Sequence, residues 1–330
     1  MYPTSNLYEV FMKHYFVVNP SAGKGNKVSD LVDKINSACE ARGVEYEIYE
    51  TKAVGDAEKF VKSICSKYEN SDTVCRFYAC GGDGTVNECI NGVAEHETNE
   101  VAVIPIGTGN DFVRNFGDAD TFCDINAQLD AISSKCDVLK YNGRYCMNVA
   151  NIGLDCEVAA RTAILKSHAL VPSKMAYIFG LVGEFIKKSG IKFRCKVDGV
   201  DKGEKRLLLA FFANGGFYGG GFHAAPLAEL KDGLIDVCFI NYVSRITFLG
   251  LVGKYKKGTH LEIKNRDKIF EYIKCREIEI EFDKTERVCI DGEIETCEKL
   301  RIEIIRDKIN FAVPAVFARS VFGQDLVQKA

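Results

Sequence analysis

Eight residues, Gly81-Gly82-Asp83-Gly84-Thr85-Val86-Asn87-Glu88, follow directly on an apolar run, Val74 to Cys80, that reads as a buried strand. Three glycines within four positions leave the backbone clear of Cβ atoms. Amide N–H groups can then approach an anion closely, and the chain can take positive φ. Asp83 stands among them, and a carboxylate beside polyphosphate is repelled unless a divalent cation lies between. The pattern points to a Mg²⁺-nucleotide site.

Two further loops have the same character. Asn19-Pro20-Ser21-Ala22-Gly23-Lys24-Gly25 follows the strand signal Tyr15 to Val18 and opens onto a helix, whose amino end offers unpaired N–H groups and partial positive charge. It lacks the GxxxxGK[ST] spacing of a Walker A loop. Pro105-Ile106-Gly107-Thr108-Gly109-Asn110-Asp111 follows the strand signal Val101 to Ile104, with an N-cap candidate at its end. Each loop alone reads as a tight αβ turn. In a doubly wound sheet all three would lie along one edge, and their convergence favours a nucleotide site.

The elements that must position these loops alternate regularly. Lys27 to Ala41 reads as an amphipathic helix ending at Gly43, Val44 to Glu50 as a strand, Ala57 to Tyr68 as a helix and Val86 to Glu95 as another. The order predicts a mostly parallel sheet with helices on both faces, which binds ligands at the carboxyl ends of its strands. Around Ser134 to Asp137 the alternation stops. Candidate strands then run over Arg144 to Ala150, Ile191 to Val197, Arg206 to Ala213, Leu234 to Tyr242, Glu277 to Phe282 and Arg287 to Ile290. Turn signals at Asp198-Gly199, Asp232-Gly233, Asp283-Lys284 and Asp291-Gly292 punctuate them. Helical stretches at Glu157 to His168, Ser173 to Lys188 and Arg245 to Lys256 interrupt the pattern. The expected architecture is therefore an α/β domain, doubly wound, followed by a mostly-β, sandwich-like domain with inserted helices.

Composition bounds the function. At 330 residues the chain is long enough for two cores, and 47% apolar with 27% charged residues fits a globular protein. A net charge of −3 exerts no overall pull toward nucleic acid. Fourteen cysteines are scattered, without a CxxC and without a preceding leader, so reduced thiols in a cytoplasmic setting are expected. The five histidines lie far apart, which disfavours a zinc site. The most hydrophobic segment, Met175 to Ile186, is broken by Glu184 and falls short of the ~20 residues of a spanning helix. Membrane contact would be peripheral.

The ordered set Asn19 to Gly23, Gly81 to Glu88 and Pro105 to Phe112 resembles the diacylglycerol kinase catalytic-domain family, in its bacterial soluble branch. Later landmarks agree in order: Asn151-Ile152-Gly153, Asn214-Gly215-Gly216, Gly219-Gly220-Gly221, Ala225-Pro226, Asp232-Gly233-Leu234 and Asp291-Gly292-Glu293. The resemblance spans roughly Tyr15 to Pro314. It implies ATP-dependent phosphorylation of a lipid hydroxyl, with the nucleotide in a cleft between the αβ and β-rich domains. On matching positions Asn19, Pro20, Ser21, Ala22, Gly23, Thr51, Gly81, Gly82, Asp83, Gly84, Thr85, Asn87, Gly107, Thr108, Gly109, Asn110 and Asp111 would surround ATP, with Asp83 close to the Mg²⁺-triphosphate. The family's acidic pair maps onto Asp291 and Glu293. A structural Mg²⁺ in the second domain maps onto Glu229, Asp232 and the Leu234 carbonyl. The apolar tail, Asn310 to Ala330, should return to the first domain, giving domains of 1–134 plus 306–330 and 135–305.

The chemistry asks for the same groups. Phosphoryl transfer needs positioning, neutralisation of phosphate charge and an acceptor for the hydroxyl proton. With no histidine suitably placed, a carboxylate is the base, and the sequence leaves Asp291 and Glu293 both open. The implied partner is a lipid alcohol at the inner membrane surface, no nucleic acid is implied, and a homodimer is compatible with the sequence. Lys24 could contact phosphate, and Lys254, Lys256, Lys257, Lys264, Arg266 and Lys268 could meet anionic headgroups; a solvated role fits each as well. Met175 to Ile186 has the make-up of an interfacial helix or lid, or equally of a core helix. An NAD kinase, which shares the GGDGT loop, is disfavoured by Gly107 to Asp111. A catalytically silent nucleotide-binding module is disfavoured by the intact Asp83, Asp291 and Glu293.

Overall fold

The computed structural model describes residues 11–23, 27–167 and 190–322. In chain order its elements begin β1 (Met12–Val18), α1 (Lys27–Arg42), β2 (Tyr46–Glu50), α2 (Asp56–Tyr68), β3 (Val74–Gly81), α3 (Asp83–Val93), β4 (Glu100–Pro105), α4 (Ala119–Phe122) and α5 (Ile125–Leu129). They continue β5 (Ile132–Tyr141), β6 (Arg144–Cys146), β7 (Val149–Gly153), α6 (Leu154–Ser167), β8 (Ile191–Val197), β9 (Val200–Leu207), β10 (Leu209–Ala213) and β11 (Ile235–Ile240). The chain closes with α7 (Arg245–Lys257), β12 (Phe270–Cys275), β13 (Glu277–Ile290), β14 (Glu293–Val313) and α8 (Ala315–Phe322). The segment containing Met175 to Ile186, together with His168 and Lys24, lies outside the described residues.

Two compact units result: 1–107 with 119–134 and 309–330, and 108–118 with 135–308. Ile309 to Phe322 group with the first unit. Thr108–Asp118, expected in the first domain, groups instead with the second. The reason is polar: Asp111 and Asn115 accept hydrogen bonds from the backbone amides of Gly216, Gly220 and Gly221.

In the first unit the strand order is β14-β4-β3-β1-β2, with parallel pairing throughout. β3 is buried from Cys75 to Gly81, the near-continuous apolar run that a sheet covered on both faces demands. Helix α1 buries Leu31, Ile35 and Cys39, one side chain per turn, and ends on Arg42. Phe16 stacks on Tyr78 with ring centroids 4.3 Å apart, a contact between neighbouring strands that anchors this core. Helix α2 has no side-chain cap of its own at Gly55. Its amino end is closed by Glu88 of α3, whose carboxylate accepts from Gly55 N at 2.8 Å and Ala57 N at 3.0 Å.

The second unit is an antiparallel sheet of order β12-β11-β10-β7-β13-β14, extended by β8 and β9 beside β13. Its central strands β7, β10 and β11 are buried along their whole length. On β10, Ala210 and Phe212 enter one apolar cluster while Leu209, Phe211 and Ala213 enter another, so both faces are covered. β8 is buried on one face only, with Ile191, Phe193, Cys195 and Val197 alternating against exposed neighbours.

Several expected boundaries change. The stretch Arg144 to Ala150 is two strands, β6 and β7, and Arg206 to Ala213 splits between β9 and β10. Asp283-Lys284 is not a hairpin turn: β13 runs through it, with a register irregularity against β14 between Glu281 and Glu286. All fourteen cysteines are free thiols, and all but Cys123 and Cys297 are buried, in keeping with small apolar packing. Among the described residues no helix is long and apolar enough to cross a membrane.

The cap on α2 is directly testable. Glu88→Ala leaves the two amides without their carboxylate, and the expected loss is roughly 1–2 kcal/mol, seen as a Tm lower by about 2–6 °C. An unchanged Tm would remove Glu88 from this role.

Candidate active site

The first unit gathers the loops by way of parallel pairing. β1, β3 and β4 are neighbours, so the residues after Val18, Gly81 and Pro105 emerge at one edge. Backbone bonds tie the exits together: Asn19 N donates to Cys80 O at 3.0 Å, and Gly107 N donates to Gly81 O at 3.1 Å. Thr51, which follows β2, donates its N–H to Val18 O at 2.9 Å. The Asn19 side chain organises its own loop, accepting from Ser21 N at 2.9 Å and donating to Thr85 Oγ1 at 3.3 Å.

Helix α3 begins at Asp83, three residues before the expected Val86. Asp83, Gly84 and Thr85 therefore form its first turn, and the N–H groups of Gly84 and Thr85 have no carbonyl four residues back within the helix. A helix amino end of this kind, capped by extended Gly82, is suited to an anion. Gly81 can be nothing larger: a Cβ there would lie 2.6 Å from Thr85 Cβ and overlap its hydroxyl. A Cβ on Gly82 would sit 3.6 Å from Gly107 Cα, and one on Gly23 3.1 Å from Ile106 O, so the glycines line a close cradle.

Thus the structure brings together Asn19 to Gly23, Thr51, Gly81 to Thr85 and Gly107. Asn87 lies one turn further along α3, buried, with its Oδ1 accepting from Asn91 Nδ2 at 3.1 Å.

Thr108, Gly109, Asn110 and Asp111 belong to the second unit. There the Asp111 carboxylate accepts from Gly220 N at 2.8 Å and Gly221 N at 2.7 Å, and Arg114 Nε lies 3.3 Å away. Arg114 also donates to Gly109 O at 3.2 Å, so Asp111 and Arg114 together shape this loop. Asn110 takes a left-handed φ of 52°.

The acidic pair divides sharply. Asp291 and Gly292 have φ of 46° and 94°, the left-handed pair of a two-residue hairpin turn between β13 and β14. The Asp291 carboxylate accepts from Met147 N at 2.8 Å, Asn148 N at 3.1 Å and Val149 N at 3.0 Å, with Cys146 Sγ at 3.2 Å. Glu293, opposite Ile290 at the head of β14, is exposed.

Around Asp291 the structure assembles residues that the sequence presented only as landmarks or not at all. Asn148 Nδ2 donates to Phe217 O at 2.5 Å, Gly216 N donates to Asn115 Oδ1 at 2.6 Å, and Asn214 Nδ2 donates to Met147 O at 2.9 Å. Asn115 and Asn148 carried no spacing signal. Their hydrogen bonds to backbone groups are the clue, and these exist only after folding.

Of the expected metal residues, Asp232 is already paired within the protein. Asp232 Oδ1 accepts from Leu234 N at 2.9 Å, while Oδ2 accepts from Lys274 Nζ at 2.7 Å; Glu229 is exposed. Among the described residues no group of three or more His, Cys, Asp or Glu side chains is placed to hold an ion.

The second unit also holds an apolar pocket with about 540 Å³ of empty space, its solvent mouth included, lined by Leu209, Ile240, Leu251, Val252 and Phe270 among others. A polar triad stands in its wall: Tyr218 Oη donates to Asp155, and the Tyr218 and Tyr255 hydroxyls are 2.6 Å apart. Burial pushes the Asp155 carboxyl up to about 6, against the opposing effect of the Tyr218 bond.

Comparison with known proteins agrees with this architecture. Residues 13–141 match the diacylglycerol kinase catalytic domain, and residues 148–313 match the YegS C-terminal NAD kinase beta sandwich-like domain. The chain belongs to the diacylglycerol kinase catalytic-domain family, joined to that sandwich-like second domain. A Staphylococcus aureus (strain MSSA476) protein named "Putative lipid kinase" is 29% identical over 289 residues, covering 86% of this chain and 90% of that one. A crystal structure of a "putative diacylglycerol kinase from Bacillus anthracis str. Sterne" superposes with a TM-score of 0.72 at 25% identity, covering 93% of this chain and 99% of the other.

The different settings of these carboxylates predict different responses. Asp291→Asn should lower Tm by several degrees, because an amide cannot accept all the backbone donors, whereas Glu293→Gln should leave Tm unchanged. Equal behaviour of the two would contradict the assignment.

Asp155 predicts a pH effect of definite sign. Its folded-state value is raised, so the stability it contributes is complete below the unfolded carboxyl range and is lost as pH rises through about 6. The charged form then costs about 3 kcal/mol. Asp155→Asn should therefore be more stable than wild type at pH 8, with the difference fading toward pH 4; a difference independent of pH would refute this origin.

Proposed function

We propose that this kinase transfers the γ-phosphoryl group of ATP to the hydroxyl of a diacylglycerol-like lipid. The observation that carries the nucleotide half is the convergence of the Asn19, Gly81 and Gly107 exits on the amino end of α3. The first-turn amides Gly84 and Thr85 bind phosphate oxygens, and the glycine cradle leaves room for the backbone to approach them. Bound with the nucleotide, Mg²⁺ would neutralise phosphate charge, and Asp83 at the head of α3 is the carboxylate to hold it. The other residues orient: Asn19 holds its loop closed on Thr85, and Gly81 lets α3 start directly from the strand.

In the second unit, Glu293 is the group that accepts the lipid hydroxyl proton. Asp291 is a positioning residue, since its oxygens hold the Cys146–Val149 backbone and so fix the turn from which Glu293 projects. The apolar pocket beside Asp155 supports a lipid acceptor, because its lining of aliphatic and aromatic side chains suits an acyl chain. Exposed Ile246, 86% accessible, and the basic last turn of α7, Lys254, Lys256 and Lys257, support peripheral attachment to an anionic membrane surface. The relatives' lipid kinase names support the same substrate class.

With purified protein, ATP and mixed micelles of candidate alcohols, a phosphorylated lipid detected by mass spectrometry is the expected product. Asp83→Ala should reduce kcat at least 100-fold with an unchanged Tm. Wild-type turnover by that variant would end the proposed nucleotide site, and absence of any phosphorylated lipid across diacylglycerol, monoacyl and polyprenol acceptors would end the lipid reading.

A further inference from the structure

Lys274 lies on β12 directly opposite Asp236 of β11. Its ammonium reaches three oxygens from three places: Asp232 Oδ2 at 2.7 Å, the Leu227 carbonyl at 2.8 Å and Asp236 Oδ2 at 3.3 Å. The contacts at 2.7–2.8 Å are charge-assisted hydrogen bonds, and the Asp236 contact at 3.3 Å is an ion pair. Mg²⁺ would instead need about six oxygens near 2.0–2.1 Å. Asp232 cannot turn away to recruit an ion cheaply, because its other oxygen accepts from Leu234 N and closes the turn. That turn is held again from behind, where Asp137 Oδ2 accepts from Gly233 N at 2.7 Å and Oδ1 from Asp307 N at 2.9 Å.

The charge requirement is equally specific. Asp236 is 1% exposed; its Oδ1 accepts from Tyr272 Oη at 2.7 Å, while Oδ2 has Lys274 as its counter-charge. A buried carboxylate without a compensating charge is strongly unfavourable; burial raises the Asp236 carboxyl above its ordinary value, and Tyr272 and Lys274 oppose that shift. Of the residues to which the family resemblance assigns a structural Mg²⁺, Asp232 is thus already paired with a covalently attached cation.

We propose that Lys274 is a built-in substitute for the structural metal, so that the second unit of this chain folds and persists without a divalent ion. The inference is independent of which alcohol is phosphorylated, since it concerns stability in the absence of nucleotide and lipid.

The experiment uses the full chain without ATP. Thermal unfolding in EDTA and in 10 mM MgCl₂ should give the same Tm within about 1 °C, and a Mn²⁺ titration followed by EPR should show no tightly bound ion. Lys274→Met, which keeps the aliphatic stem and removes the charge, should lower Tm in EDTA by about 5 °C or more and regain part of it in MgCl₂. A tight Mn²⁺ site in wild type that disappears in Asp232→Asn would overturn the proposal, as would a Lys274→Met protein as stable in EDTA as wild type. Should Lys274→Met fail to fold, the wild-type Mn²⁺ and EDTA measurements decide alone.

Discussion

Parallel pairing of β1, β3 and β4 is the constraint on which the nucleotide site depends. Parallel strands all end on the same edge, so three chain exits spread over more than eighty residues must meet there. Their backbone groups cannot remain unpaired at a buried edge, and the bonds from Asn19 to Cys80 and from Gly107 to Gly81 satisfy them in a way that fixes the spacing of the loops. Packing then restricts residue choice: α3 starts so soon after β3 that Thr85 occupies the volume of any side chain at Gly81. Small residues are therefore required twice at this edge, once for packing and once for access to an anion.

The second unit solves a different problem with the same economy of means. It is antiparallel, its central strands are covered on both faces, and the Asp291-Gly292 turn closes the hairpin of β13 and β14. Asp291 holds that turn by accepting from three consecutive amides of the Cys146–Val149 segment. Asn115, Asn148 and Asn214 extend the network to the backbone of 215–217. Side-chain amides and backbone N–H groups supply the donors such a turn needs, which is why asparagines and glycines converge on it.

The acidic residues of this chain show how little residue type says about role until surroundings are known. Asp83 heads a helix, Asp111 and Asp291 hold backbone amides, Asp232 and Asp236 share a lysine, and Asp155 lies in an apolar wall where burial raises its pKa. The carboxylate chemistry is identical in each case. What differs is the number of N–H donors and the access of water.

Local and periodic features were legible in the sequence. The helices α1 and α2 and the strand β3 emerge within a residue or two of their expected limits, because amphipathic period and continuous apolar runs are written in consecutive residues. So were the three glycine loops and the Asp291-Gly292 turn, since positive φ and close backbone approach demand particular residue types. The 21-residue strand β14 and the continuation of β13 through Asp283-Lys284 were not legible, because their charged, alternating sequence becomes strand only by pairing with each other. The same holds for the membership of Thr108–Asp118 in the second unit, for the separate duties of Asp291 and Glu293, and for Lys274 standing on Asp232. By itself the sequence determined which backbone conformations and which chemical groups were available. Only the tertiary structure decided which donors reached which carboxylate, because hydrogen bonds and ion pairs act over a few ångströms between residues far apart along the chain.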